Sequence, residues 1–127
     1  MRRVRDWLRQ AELDLAAASD LEAAGHFEWT CFLAQQAGEK AVKAAHESAG
    51  TEAWGHSVAA LLAGLDDVPE AVVEAAKGVD KHYIGARCPN SHPQGAPGDL
   101  YTRRDASQAL ADAQSVLEHV RSRHSQT

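Results

Sequence analysis

The segment Asp80-Lys81-His82-Tyr83-Ile84-Gly85-Ala86-Arg87-Cys88-Pro89-Asn90-Ser91-His92 concentrates side chains able to act on a phosphodiester. Arg87 and His92 stand in an Arg-x4-His spacing at the mouth of a Pro/Gly-rich stretch. An arginine stays charged and offers forked donors to a phosphate, while a histidine titrates near neutrality and can move a proton. Metal-free RNA cleavage asks for those two parts, a proton-handling group and a fixed cation where charge builds. The spacing alone is weak, because nine arginines and seven histidines produce about one or two such matches by chance.

Charge adds a second signal. The chain of 127 residues has a formal net charge of −5, which argues against coating nucleic acid with its whole surface. Between Lys77 and Arg104, however, Lys77, Lys81, Arg87, Arg103 and Arg104 face only Asp80 and Asp99. A basic island on an acidic body attracts phosphate at one place and repels it elsewhere. The candidate phosphate site takes Arg87 and His92, with Tyr83, Lys81, Arg103 and Lys40 as further members.

Other chemistries find little support. The histidines and carboxylates form no HExxH, EF-hand or Glu-x-x-His pattern, so no metal is expected, and no cofactor. Neither GxxxxGK[ST] nor GxGxxG occurs. Lys40 and Lys43 more often form a solvated helix edge than a phosphate grip. Gln35 and Gln36 fall in the most apolar stretch, where a buried amide needs partners and can staple helices together. Trp54 and His56 read as packing and capping groups at a helix entry; Trp7, Trp29 and Phe32 read as core. Cys88 lies in a loop near basic groups, yet an inert thiol is the ordinary expectation. Two cysteines do not make a zinc site, and free thiols in a cytoplasmic protein are the default.

These residues need a scaffold, and the composition says which kind. Twenty-five alanines against fourteen Val, Ile and Thr residues disfavour a sheet. Val4, Leu8, Ala11, Leu15, Ala18 and Leu21 draw one apolar stripe on a first helix over about 3–24, with Gly25 as its stop. A second helix over about 26–48 is apolar on more than one face and should be central. Ser57 caps a short helix through Leu61, Leu62 and Leu65, and Pro69 opens a fourth running to Tyr83. A Pro/Gly-rich loop follows over about 85–100, long enough to suspect function. Asp105 caps the last helix, striped by Ala106, Ala109, Leu110, Ala113, Val116, Leu117 and Val120. The expectation is an all-α, up-and-down antiparallel bundle of four main helices and one short one. It forms a single domain over 1–127, with no membrane span or signal peptide. The close approach that alanine allows, and apolar surface left over on so small a bundle, point to a homodimer.

The chain resembles the HEPN domain family (higher eukaryotes and prokaryotes nucleotide-binding), in its small stand-alone bacterial and archaeal form. The resemblance rests on Trp7 to Glu12, on Glu28 to Lys43, on Gly55-His56-Ser57, on Asp80 to Asn90 and on Tyr101. It implies a dimerising helical bundle that often works beside a minimal nucleotidyltransferase in toxin–antitoxin modules. Many members are metal-independent endoribonucleases whose Arg-x(4–6)-His motifs meet across the dimer; others bind nucleotide without cleaving. Carried over, Arg87 contacts the scissile phosphate and His92 handles the proton. In the ribonuclease branch the motif lies on a helix, and a polar residue follows the arginine; here Cys88 and Pro89 follow, in a loop. In one toxin branch a tyrosine two positions after the histidine is nucleotidylated, and here Gln94 stands there. The expected function is nucleotide or RNA-phosphate binding in the cytoplasm, with a ribonuclease toxin as the alternative.

Overall fold

A computed structural model describes residues 3–125, apart from the Ser125 side chain. Four long helices carry the fold: α1 (Val4–Ala23), α2 (Phe27–Ala49), α4 (Glu70–Asp80) and α7 (Arg103–Ser125). Three short ones complete it: α3 (Val58–Leu62), α5 (His82–Gly85) and α6 (Pro97–Leu100). The bundle is all-helical and up-and-down, with no strand among the described residues.

Helix α2 is the axis. It packs on α1, α3, α4, α5 and α7, and buries Thr30, Cys31, Ala34, Gln35, Ala37, Gly38, Glu39, Ala41, Val42, Ala44, Ala45 and His46. Residues on every side of a helix are buried only when neighbours surround it, as its apolar circumference predicts. Ala11, Ala18, Ala34, Ala41, Ala76, Ala106 and Ala113 are fully buried, and small side chains at facing positions let the axes approach. Leu62, Leu117, Val42, Val58, Val79, Val116 and Val120 fill the remaining core.

The turns follow from local chemistry. Gly25 (φ +84°) and Gly50 (φ +74°) take the left-handed conformation that closes α1 and α2. His26 N–H donates to Leu21 and Gly25 N–H to Glu22; Thr51 N–H donates to His46 and Gly50 N–H to Glu47. Both are Schellman closures that satisfy the last carbonyls of each helix. Ser57 caps α3, its Oγ accepting from Ala60 N–H at 3.1 Å.

Three boundaries differ from expectation. The fourth helix stops at Asp80, and His82–Gly85 forms a separate turn. The stretch 85–100 is partly helical: a 3-10 turn at Pro89–Ser91 and α6 each start on a proline, whose fixed φ suits a first helical position. The cap of α7 is Thr102, whose Oγ1 accepts from Asp105 N–H while Asp105 Oδ2 accepts from Thr102 N–H. That reciprocal pair is a capping box in which Asp105 plays the third-residue part rather than the cap.

Candidate functional site

The site begins with the aspartate that ends α4. Asp80 accepts from Val58 N–H (2.8 Å), Ala59 N–H (3.0 Å) and Ser57 Oγ (3.0 Å), so one carboxylate satisfies the exposed donors at the start of α3. Gln35, fully buried in α2, donates to His56 O at 2.6 Å and reaches Asp80 Oδ1 at 3.5 Å. Gln36 donates to Gln35 Oε1 at 2.9 Å. The expected amide staple is thus present, and it locks the loop before α3 against α2 and α4.

That lock places His56. Its ring stacks on Tyr83, centroids 4.8 Å apart and planes 15° from parallel. Its Nδ1 faces buried Glu39 at 3.2 Å, and Glu39 also holds Lys43 Nζ at 3.0 Å. Tyr83 in turn lies 6.3 Å from Phe32, which meets exposed Trp29 edge-on at 6.0 Å. The result is an aromatic strip, Trp29–Phe32–Tyr83–His56, assembled from α2, α5 and the loop before α3.

Arg87 lies on that strip. Its guanidinium sits 4.6 Å from the Phe32 centroid and 4.7 Å from that of Tyr83, and its Nε donates to Tyr83 O at 2.7 Å. Cation–π contacts on two rings and one hydrogen bond fix the side chain. Its two terminal amino groups take no hydrogen-bond partner among the described residues, and the residue is exposed. An arginine so held presents a forked donor to an incoming oxyanion without further ordering.

His92 is tied to the same turn from elsewhere. Its Nε2 lies 2.7 Å from Gly85 O, so that nitrogen donates and a neutral ring keeps its lone pair on Nδ1. Tyr83 and Gly85 are two residues apart on α5, roughly 200° around a helix. Arg87 packs on Phe32 of α2 and on Tyr83, while His92 meets the Tyr101 ring edge-on at 6.3 Å. Tyr101 shares a 2.8 Å hydrogen bond with His82 Nδ1. Burial lowers the His82 pKa below its usual 6.5, only partly opposed by the Asp105 and Asp112 carboxylates. Burial also pushes the Tyr101 phenol up to about 12, with Cys31 and Asp105 adding to it.

Of the six candidates, the structure brings together Tyr83 and Arg87, with His92 bonded to Gly85 O of the same turn. Lys81 is exposed at the junction of α4 and α5. Lys40 is elsewhere, paired with Asp14 at 2.6 Å on the α1 side, where Gln10 also donates to Asp14. Arg103 lies over Phe27 at 4.8 Å and near Glu22 at 3.7 Å. Phe32 and His56 are the members that sequence reasoning took for core and capping groups. The α2 spacing of Trp29 and Phe32 hinted at a shared face, but the contact of either loop with it spans dozens of residues. Among the described residues, no group of three or more His, Cys, Asp or Glu could hold a metal ion.

The fold has counterparts. The HEPN domain pattern matches residues 4–123, so the chain belongs to the HEPN family. It is similar to the protein TT1696 of Thermus thermophilus, 48% identical with a TM-score of 0.93, covering 96% of this chain and 98% of that one. It is also similar to the archaeal HEPN homologue ST0689, at 39% identity, TM-score 0.85, and coverage of 97% and 98%. An HEPN domain protein of Thermotoga maritima follows at 30% identity, TM-score 0.78, and coverage of 96% and 99%. None of the curated proteins matches the sequence.

Proposed function

We propose that this HEPN protein binds the phosphate of a nucleotide or RNA strand at the Arg87 platform. In this reading it works in the cytoplasm beside a minimal nucleotidyltransferase, in a toxin–antitoxin-like module, as a homodimer. The observation that carries the reading is Arg87, held against Phe32 and Tyr83 with its terminal amino groups unengaged among the described residues. The adjoining rings offer stacking surfaces to bases, and stacking plus a fixed cation is how single strands are gripped without sequence readout. Lys81, exposed two residues before Tyr83, adds positive charge to the field around the site. Lys40 and Arg103 act as long-range contributions to its field, since each already has a carboxylate neighbour.

Binding of a labelled single-stranded RNA, followed by fluorescence anisotropy, tests the reading. Arg87→Ala should weaken the complex about tenfold or more, the loss of a charge-assisted contact together with its aromatic support. Equal affinity in the variant overturns it.

A second reading, a metal-independent endoribonuclease, is favoured by the fixed tautomer of His92, which leaves Nδ1 free to accept a proton. Within one protomer Arg87 and His92 have different partners, Phe32 and Tyr83 against Gly85 O and Tyr101, and in this reading the histidine of one copy meets the arginine of another. Incubating a mixed-sequence RNA with the protein in EDTA decides it. Products ending in 2′,3′-cyclic phosphate, lost in both Arg87→Ala and His92→Ala, establish the enzyme; intact RNA leaves the binding module.

A further inference from the structure

On the His92 side of the α5 turn, His82, His92, Gln94, Leu100, Tyr101 and Asp105 line an open pocket of about 520 Å³. We propose that it receives one nucleobase of the strand whose phosphate Arg87 holds, and that it favours bases bearing an exocyclic amino group. The proposal rests on the RNA-binding reading above and goes beyond it by assigning a second subsite and a base preference.

Electrostatics separates the two subsites. No lysine or arginine is among the described residues that line this pocket, and Asp105 contributes a carboxylate, so the lining offers a phosphate no fixed cation. The lowered His82 pKa and the raised Tyr101 pKa leave both groups uncharged at neutral pH. A planar, uncharged ring suits such a lining, and the volume falls within the range of ordinary ligand pockets. Leu100 and the Tyr101 ring provide apolar walls, and Leu100 is exposed although large and aliphatic.

The hydrogen-bond inventory sets the preference. Asp105 Oδ2 is occupied by Thr102 N–H (2.9 Å) and Thr102 Oγ1 (3.1 Å), while Oδ1 has no partner among the described residues. His92 spends Nε2 on Gly85 O, which leaves Nδ1 as an acceptor in the neutral ring. Two unspent acceptors ask the ligand for donors. The amino group of adenine or cytosine, or the N1–H and amino group of guanine, can serve both acceptors, whereas uracil offers the single N3–H. Gln94, exposed and without a hydrogen-bond partner among the described residues, supplies an amide that can complete the base edge.

The test measures anisotropy of labelled oligo(A), oligo(C) and oligo(U) with the full chain. The wild type should bind oligo(A) and oligo(C) about tenfold more tightly than oligo(U), the order of discrimination one good polar pair gives. Gln94→Ala and Leu100→Ala, both at exposed positions, should bring the three toward parity. Asp105→Asn should do so as well, its amide oxygen still able to serve the Thr102 cap. Arg87→Ala should weaken all three together. Equal binding of all three by the wild type overturns the pocket and leaves the Arg87 platform standing, as does a preference that survives all three pocket variants. No binding of any oligonucleotide overturns the platform and the pocket alike.

Discussion

At the scale of single residues, Asp80 does more for the site than any residue that touches solvent there. It gathers Ser57, Val58 and Ala59, and with Gln35 it fixes the loop that carries His56 onto Tyr83. Asp80→Ala should cost about 2–3 kcal/mol in thermal or urea unfolding, since it strands two helix-start N–H groups. A loss below about 0.5 kcal/mol would mean that water replaces the carboxylate at no cost. The buried imidazoles give a pH signature. Burial depresses His82 and also His119, where Arg123 adds to the effect, below the usual 6.5. The unfolded chain then takes up protons first, so stability is complete above about 6.5 and falls as pH drops toward the folded values. Thermal midpoints should decline across that window, less steeply in His82→Gln; an unchanged slope would contradict the assignment. The two thiols should also differ. Burial pushes Cys31 up to about 12, with Asp105 and Glu28 reinforcing it, whereas Cys88 is only half-buried in the loop. Each reacting thiol forms a mixed disulfide with Ellman's reagent and releases one thionitrobenzoate, so native protein should release one equivalent and denatured protein two, the fast one being lost in Cys88→Ser.

At the scale of elements, α2 shows what close packing permits. A Cβ at Gly38 would meet Val58 Cγ2 at 3.5 Å and Val79 Cγ2 at 3.8 Å, ordinary contacts. Gly38→Ala should therefore stabilise by up to about 1 kcal/mol through helix propensity. Gly38→Leu should destabilise by about 1–3 kcal/mol as α3 and α4 are forced away; melting both variants checks the pair. The same helix was the most legible part of the sequence. Its all-round apolar pattern, the Gly25 stop of α1 and the Ser57 cap of α3 are local signals in the sequence. The stretch 85–100 was harder to read, because turn-length helices started by Pro89 and Pro97 have no periodicity to detect. The break between α4 and α5 escaped for a related reason: Val79 and Tyr83 keep helical spacing across it. Arg87 was legible from its type and its place in the basic island, and Tyr83 from the block it shares with Arg87 in the family resemblance. Phe32 and His56 were not, since their roles depend on contacts across more than twenty residues. Lys40 illustrates the converse error of reading charge alone, because its Asp14 partner lies on another helix.

At the scale of the whole molecule, the acidic body limits how nucleic acid can be held. With net charge −5 and one platform, only one to three phosphates should be engaged. The logarithm of affinity for single-stranded RNA should then fall with that of salt at a slope of about −0.7 to −2. A much steeper slope would mean that a broad basic surface is at work. Exposed Trp29, Ile84 and Trp54 are large apolar groups on a small bundle, and light scattering after gel filtration should return the mass of two chains under the homodimer reading. No helix among the described residues is long and apolar enough to cross a membrane. The claim on which the rest depends is that RNA meets this chain at Arg87 and its aromatic strip. Titrating short single-stranded RNA into the protein and following heteronuclear NMR shifts tests that claim most directly. The largest shifts should fall on Phe32, His56, Tyr83 and Arg87, then on Tyr101 and the loop around His92. Shifts concentrated instead around Trp7, Lys40 and Trp54, with the α5 turn unmoved, would contradict it.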